Sequence, residues 1–296
     1  MKKSIIISAI VLVPLVCTGL YFFLCNNRPG TVCPQPEHTP EMLRIGALNI
    51  NWMSFNSDPE MTAGKLLQSA VENELDLILL QEYKESWNFD DKAFRKLFRK
   101  EYRHIDMEGE CAIISKYPIA SHKRVKFDDF SDTFSEIELK LPSGQKIKVL
   151  AVHLMTTGIN NFTTGDMAKS ISGVDVAYTF FGNGDIRKNQ GVSLHRRAAA
   201  ATLPLIIAGD FNCVPFSAPY RMMMDAGLKD SFFEAGRGSG STYRGMGDLM
   251  RIDYIFYSDD FVCIDSRVID DYISDHKMVV SSFLMASDSI ENQTEE

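Results

Sequence analysis

The sequence lacks any cysteine pair, or any cysteine and histidine pair, at the spacing that a zinc site uses. It has six cysteines in 296 residues, and Cys111, Cys213 and Cys263 lie in or beside predicted strands. A disulfide framework is therefore excluded as the basis of the fold, and we expect buried free thiols. A disulfide through Cys33 stays open if the domain lies outside the cytosol.

The sequence also lacks an excess of basic residues. Its formal net charge is −8, from 31 lysines and arginines against 39 aspartates and glutamates. The first 40 residues hold only Lys2, Lys3, Arg28 and Glu37 of these, so the remaining chain has 28 basic and 38 acidic side chains, a balance of −10. A protein that binds duplex nucleic acid through its phosphates shows a broad basic face, and this balance argues against one. A small basic opening on an acidic body remains compatible with it.

Charge is absent from one long apolar stretch, SIIISAIVLVPLVCTGLYFFL, which runs from Ser4 to Leu24. Its length of about 20 residues suits a bilayer span, and Lys2 and Lys3 before it favour a cytoplasmic N-terminus. We therefore predict a single-pass transmembrane anchor over residues 1–25, with the rest of the chain outside the cytoplasm. A cleaved signal segment is the alternative, and it would make the protein secreted or periplasmic.

The remaining chain divides into three parts by composition. Residues 26–41 contain four prolines and little apolar content, which predicts an extended stalk. Residues 42–286 form one predicted domain, and the polar residues 287–296 are expected to be a disordered tail. No internal repeat is visible.

Within the domain, short apolar strands alternate with a few amphipathic helices. This pattern predicts an α/β (α+β) fold of two packed, mostly antiparallel sheets flanked by helices. One helix is expected from Pro59 to about Asn73, with Asp58 as its cap. Residues 155–190 are expected to be a long loop that lines a site or moves over it, before a short helix over 191–202. Residues 251–257 and 261–268 are predicted to pair as a hairpin.

The strand that begins at Leu205 carries the first chemical signal. Its apolar residues predict burial on both faces, and Asp210 and Asn212 follow at its carboxyl end, where open α/β sheets bind ligands. A carboxylate and an amide two residues apart lie on the same side of an extended chain and could hold a water and a phosphate oxygen together. An Asp-x-Asn turn that bonds only its own backbone is the alternative.

Polar side chains recur at other predicted strand ends. The segments, in chain order, are LNIN, LLQE, VHL, GDFN, RIDYIF and SDH. This order resembles the endonuclease/exonuclease/phosphatase superfamily, whose prototype is DNase I. The resemblance extends from about Leu43 to Leu284. It implies a four-layer α/β-sandwich, and with the predicted anchor it suggests a membrane-anchored member of bacterial type.

The resemblance also implies a metal site. Glu82 would be the principal ligand of a divalent cation, with Asn49 and Asp275 near it. Asn51 would lie in the outer part of this shell, where some members carry an acidic ligand. Hard oxygen ligands of this kind favour Mg²⁺, with Mn²⁺ as the alternative, over zinc.

The catalytic residues implied by the resemblance are His276, Asp253, Asp210, Asn212 and His153. His276 would be the general base, and Asp253 would hold its imidazole in the right tautomer. Asp210 and Asn212 would orient the attacking water and the scissile phosphate, and His153 would stabilise the transition state or assist the leaving oxygen. Phosphodiester hydrolysis needs a cation to neutralise charge, a base for the water and a positioned donor, so each role has a candidate.

We therefore expect a metal-dependent phosphodiesterase that acts outside the cytoplasm on a nucleic acid, a phospholipid head group or a small phosphate ester. One alternative is a DNA-repair endonuclease, which the anchor and the acidic balance disfavour. Another is a catalytically silent binding domain tethered to the membrane. No protein partner is inferred. Trp52 and Phe55 are candidates for contact with lipid or bases, and otherwise they are packing residues.

Overall fold

The computed structural model describes residues 20, 27–28, 39, 42–55, 58–83, 91–107, 111–128, 132–156 and 184–286. Nearly all of the predicted anchor, most of the stalk and the whole predicted tail lie outside these residues, and so does the part of the predicted loop from 157 to 183. None of the helices in the described ranges is long and apolar enough to cross a bilayer. The anchor therefore stays a prediction from the sequence.

The described residues form short strands and a smaller number of helices. The strands are β1 (Asn27–Arg28), β2 (Leu43–Asn49), β3 (Leu77–Gln81), β4 (His104–Asp106), β5 (Ala112–Ser115), β6 (Ile119–Lys126), β7 (Thr133–Lys140), β8 (Lys146–His153), β9 (Leu205–Asp210), β10 (Lys229–Asp230), β11 (Gly238–Ser239), β12 (Asp253–Tyr257), β13 (Phe261–Ile269) and β14 (Met278–Met285). The helices are α1 (Pro59–Glu72), α2 (Asp91–Phe98), α3 (Gly184–Ala199), α4 (Ala218–Asp225), α5 (Ser231–Ala235) and α6 (Gly245–Asp248).

Most of the strands belong to two six-stranded sheets, each with one parallel pair at its centre. The first sheet has the order β13-β14-β2-β3-β5-β4, and its parallel pair is β2 with β3. The second sheet has the order β10-β12-β9-β8-β7-β6, and its parallel pair is β8 with β9. The other neighbours in both sheets are antiparallel, which confirms the predicted two-sheet architecture.

Three apolar clusters hold four layers together. The cluster between the sheets combines residues of the first sheet such as Ile45 and Leu79 with residues of the second such as Val149 and Ile206. A second cluster packs the outer face of the first sheet against α1 and α2, and a third packs the outer face of the second sheet against α3 and α4. Burial on both faces explains why the central strands are continuous apolar runs.

The helices differ from the prediction at one important boundary. At α1 the predicted cap is confirmed, because Met61 N donates to Asp58 Oδ1 at 3.0 Å and Pro59 takes the first helical position. The helix before β9 begins at Gly184 and not near residue 191. Its first turns, GDIRKNQ, show no apolar periodicity, so the sequence pattern gave no helical signal there.

The predicted hairpin of residues 251–268 is wrong. β12 lies in the second sheet between β9 and β10, whereas β13 pairs with β14 in the first sheet. Every residue of β12 is buried, and such a strand needs neighbours on both edges. The chain therefore crosses between the sheets at residues 258–260, where Ser258 N donates to Leu205 O at 2.9 Å.

Candidate active site

The predicted site residues meet at one rim because of the directions of the strands. The carboxyl ends of the two parallel pairs place Asn49, Glu82, His153 and Asp210 there. β12 and β14 run antiparallel to their neighbours, so their amino ends reach the same rim. Asp253 is the first residue of β12, and His276 lies two residues before β14.

His276 and Asp253 form a buried pair. His276 Nδ1 lies 2.9 Å from Asp253 Oδ2, and the opposite ring nitrogen, Nε2, lies 3.8 Å from Asp210 Oδ2. Thr242 Oγ1 accepts a hydrogen bond from Asp253 N at 3.1 Å, which fixes the start of β12. The carboxylate therefore holds the proton on Nδ1 and leaves Nε2 facing the site.

The charges around His276 favour its protonated form. Burial lowers the pKa of His276, but the carboxylates of Asp253, Asp210 and Asp275 outweigh burial and raise this pKa to about 10. A general base must be neutral before it accepts a proton. Positive charge placed among these carboxylates would lower the pKa of His276 and bring it toward the neutral form.

Asp210 is held by hydrogen bonds from both sheets. Asn49 Nδ2 donates to Asp210 Oδ2 at 2.9 Å, and Asn212 N donates to Asp210 Oδ1 at 2.7 Å. Burial and the neighbouring Asp253 carboxylate raise the pKa of Asp210 to about 7, although His276 and these hydrogen bonds oppose the rise. The Asn212 side chain donates to Leu154 O at 3.0 Å and to Asp210 Oδ2 at 3.2 Å, so its amide hydrogens orient Asp210.

Glu82 and His153 face each other across the gap between the sheets. His153 Nε2 lies 3.5 Å from Glu82 Oε1 and 3.8 Å from Asp210 Oδ2. Burial raises the pKa of the Glu82 carboxyl, and His153 and the Asn49 side chain offset part of this rise. The imidazole of His153 thus lies between two buried carboxylates, one from each half of the molecule.

The predicted metal ligands occupy different parts of the rim. Asn49 lies between Asp210 and the backbone of Asn51, whose N donates to Asn49 Oδ1 at 3.0 Å. Asp275 accepts from the Ser274 hydroxyl at 3.1 Å and lies on the His276 side. The Asn51 side chain turns to Ser54, whose hydroxyl donates to it at 3.2 Å. Asn51 therefore supports Asn49 through its backbone.

The donor set of the rim fits a hard divalent cation. Buried carboxylate oxygens of Glu82 and Asp210 lie there, and burial raises the pKa of both, so a bound cation would favour their charged forms. Among the described residues, one ligand atom each from Asp210, Asp253 and His276 lies within 4.8 Å of the others. We interpret this trio mainly as a hydrogen-bonded set, because Asp253 already engages His276 Nδ1 at 2.9 Å.

A left-handed turn follows Asn49 directly. Asn51, Trp52 and Met53 have φ values of 47°, 52° and 55°. Left-handed backbone costs such residues roughly 1–2 kcal/mol each. Hydrogen bonds to the end of β3 hold the turn, including Trp52 N to Glu82 O at 3.1 Å. Glu82 itself has a φ of 52°, so the backbone strain of this region surrounds the predicted metal ligand.

The sequence did not indicate two further residues at the rim. Arg187 in the first turn of α3 is 4% exposed and donates to Met155 O at 3.2 Å. Burial lowers the pKa of Arg187, and interactions with Cys213 and Asp210 oppose this shift. It lies in the segment expected to be a loop. Tyr243 packs on the His276 ring with 5.0 Å between the ring centroids. It lies ten positions before Asp253 in the sequence, and no periodic pattern connects the two.

This fold and the carboxylates, amides and imidazoles at its rim define a class of phosphoester hydrolases. The chain belongs to the Endonuclease/Exonuclease/phosphatase family, whose model matches residues 47–276. Enzymes of this family use divalent metals. None of the curated proteins matches the sequence.

Solved structures of the same fold come from bacteria and animals. An endonuclease/exonuclease/phosphatase from Beutenbergia cavernae has a TM-score of 0.60 and 18% identity, over 83% of this chain and 72% of that one. The human Nocturnin catalytic domain with bound sulfate anion has a TM-score of 0.62 and 17% identity, over 84% of this chain and 96% of that one. TDP2 from C. elegans has a TM-score of 0.57 and 16% identity, over 82% of this chain and 75% of that one. At these identities the likeness shows the fold.

Proposed function

We propose that this chain is a Mg²⁺-dependent phosphodiesterase in which a His/Asp pair activates water. The observation that carries the proposal is the convergence of His276, Asp210 and Glu82 on one rim. His153 Nε2 lies 3.5 Å from Glu82 and 3.8 Å from Asp210, and Asp210 lies 3.8 Å from His276 Nε2. Groups at these distances can share one phosphate.

In this proposal His276 Nε2 accepts the proton of the attacking water. Asp253 holds the imidazole by its Nδ1 and stabilises the positive charge that forms on it, because the two groups are buried and 2.9 Å apart. Asp210 is 3.8 Å from the accepting nitrogen and is fixed by Asn49 and Asn212. It therefore orients the water between itself and His276.

Glu82, together with Asn49 and Asp275, would hold the cation. When bound, Mg²⁺ neutralises charge on the phosphate and on the surrounding carboxylates, which favours neutral His276. His153 faces the same gap and would donate to a phosphate oxygen as charge develops on it. Mn²⁺ suits the same oxygen ligands.

The test is hydrolysis of bis(p-nitrophenyl) phosphate by the full-length chain, with Mg²⁺, with Mn²⁺ and with excess chelator. We expect activity with either metal and none in chelator. His276→Ala should reduce kcat by about 10²–10⁴-fold, the usual contribution of a general base, and Asp253→Asn should cause a comparable loss. Full activity in chelator would refute the proposed dependence on a metal. Normal turnover by His276→Ala or by Asp253→Asn would refute the assignment of His276 as the general base.

His195→Ala is the matched control for the histidine variant. His195 lies in α3 on a partly exposed face, away from the rim. Its substitution should leave the rate unchanged. Circular dichroism of all three variants should match that of the unaltered chain, so that a lost rate reports chemistry and not unfolding.

We further propose that residues 1–25 anchor the chain and that the hydrolase domain lies outside the cytoplasm. The uncharged run from Ser4 to Leu24 after Lys2 and Lys3 supports this orientation. The test is membrane fractionation with protease added to intact spheroplasts. The domain should sediment with membranes and be digested. Recovery of a soluble chain with a shortened N-terminus would favour the cleaved segment, and protection from protease would refute the orientation.

A further inference from the structure

The hydroxyl group of Tyr243 is buried and is not paired by any side chain or backbone group in the described part of the chain. Tyr243 is 2% exposed, and among the described residues its Oη has no hydrogen-bond partner. Folded proteins pair nearly all such groups, because a buried unpaired hydroxyl is destabilising. Phenylalanine would fill the same space without that penalty. The hydroxyl therefore needs an acceptor that the described residues do not supply.

The backbone holds Tyr243 firmly in place. Its N donates to Met250 O at 3.1 Å, and the residue also forms a bridge with His276. On either side of it, Lys277 N donates to Thr242 O at 2.7 Å and Arg244 N donates to Asp275 O at 2.9 Å. The segment from Thr242 to Arg244 is thus bound to the loop that carries the predicted base.

The ring is fixed by its neighbours as well. It packs on the His276 imidazole with 5.0 Å between centroids and 55° between planes. On the other side, a Cβ at Gly245 would lie 2.2 Å from Tyr243 Cε1 and 2.9 Å from Oη. Any side chain at residue 245 would displace the ring, so the glycine allows the hydroxyl to occupy this position.

The charges near Tyr243 are mainly negative. Burial and the charges of Asp275, Asp210 and Glu82, in that order, raise the pKa of Tyr243 to about 12. These three carboxylates are the groups that surround the proposed cation and water. The bridge and the ring contact with His276 place Tyr243 beside the proposed general base.

We propose that the Tyr243 hydroxyl donates a hydrogen bond to a non-bridging oxygen of the scissile phosphate. The inference rests on the proposed phosphodiesterase function and adds a catalytic residue to it. A fixed donor of this kind stabilises the charge that develops on the phosphoryl oxygens. It also gives a partner to a hydroxyl that the described residues leave unpaired.

The test compares Tyr243→Phe with Tyr220→Phe in the full-length chain. Tyr220 lies away from the rim, and its hydroxyl donates to Asp230 Oδ2 at 3.0 Å. Tyr243→Phe should lower kcat/KM for bis(p-nitrophenyl) phosphate by about 10²-fold and leave the urea midpoint of unfolding unchanged or higher. Tyr220→Phe should keep its activity and lower the midpoint. A Tyr243→Phe variant with normal kcat/KM, or with a midpoint lowered like that of Tyr220→Phe, would overturn the proposal.

Binding of inorganic phosphate gives a readout that does not depend on turnover. Measured by calorimetry in the presence of Mg²⁺, the affinity of Tyr243→Phe should be about 10-fold below that of the unaltered chain, as expected for one lost hydrogen bond to a charged group. Equal affinities would refute the role of the hydroxyl whatever the rates. An unaltered chain that binds phosphate through Tyr243 but hydrolyses no diester would instead refute the proposed function alone.

Discussion

The buried ion pair of Arg251 and Asp230 should contribute strongly to stability. Arg251 Nη1 donates to Asp230 Oδ2 at 2.7 Å, and the two residues are 1% and 0% exposed. The Tyr220 hydroxyl donates to the same oxygen at 3.0 Å. Burial lowers the pKa of Arg251, but the charge of Asp230 outweighs burial and raises it. Arg251 therefore stays charged inside the domain.

We expect Asp230→Asn to lower the free energy of unfolding by about 3–5 kcal/mol, the usual loss when one partner of a buried pair is removed. The substitution keeps the volume of the side chain. It also keeps an oxygen for Phe232 N, which donates to Asp230 Oδ1 at 3.0 Å. The change thus removes the charge together with the two hydrogen bonds that Oδ2 accepts, from Arg251 and Tyr220. For a domain of this size, the expected fall in melting temperature is about 6–20 °C.

The assay is urea denaturation followed by fluorescence, together with a thermal melt. The matched control is Asp259→Asn, which removes the ion pair with Lys229 at 2.7 Å, where the side chains are 45% and 78% exposed. That exposed pair should contribute no more than about 1 kcal/mol. If the two variants lost equal stability, burial would not be what makes the Asp230 pair strong, and the reasoning would fail.

Three other predictions test other parts of the structure. Gly209→Ala should lower the free energy of unfolding by more than about 4 kcal/mol, because φ is +140° and a Cβ would lie 2.0 Å from Val152 O. Its control is Gly144→Ala, where φ is +89° and the space is open, and the loss measured by urea denaturation should be about 1–2 kcal/mol. Glu82→Gln should abolish the Mg²⁺-induced rise in melting temperature, and an undiminished rise would contradict its role as a ligand. Although burial opposes it, Arg244 and Lys277 lower the pKa of Asp270 below its ordinary 3.8. The unaltered chain should therefore be more stable than Asp270→Asn near neutral pH, and this difference should shrink as the pH falls below 3.8. A difference in melting temperature that stays constant across the pH range would contradict the prediction.

The rim could be predicted because each motif joins an apolar run to a polar residue. The run fixes a buried strand, and the polar residue marks its end, as for Leu77–Gln81 before Glu82 and Leu205–Asp210. Once the strands are placed in two sheets, their directions bring these ends together. The family resemblance supplied the roles, which spacing alone could not provide.

The errors arose where tertiary contacts override local pattern. The turn at Ser258 has the composition of a hairpin loop, but β12 and β13 belong to different sheets. The first turns of α3 lack apolar periodicity, and polar contacts from Arg187 and Gln190 to Met155 hold them in place. Such contacts join residues more than 30 positions apart and leave no periodic signature.

Side-chain partners within the site were also beyond the sequence. The role of Asn212 in orienting water and phosphate stays a prediction, and the sequence did not indicate that its amide donates to Asp210 and Leu154. The sequence did not predict Tyr243 as a site residue, because its contact with His276 depends on a backbone bridge between two loops. The left-handed turn at Asn51 contains no glycine that would have marked it.

The site is built jointly by the two sheets, so the packing between them sets its geometry. Asn49 of the first sheet donates to Asp210 of the second at 2.9 Å, and a Cβ at Gly209 would lie 3.0 Å from Gln81 Nε2 on the facing sheet. Below the rim, the shared core includes the small residues Ala47 and Ala208. A shift of about 1 Å between the sheets would change all these distances together, and misplacement on that scale can cost about 10²-fold in rate. Enlarging either alanine should consequently reduce activity before it unfolds the domain.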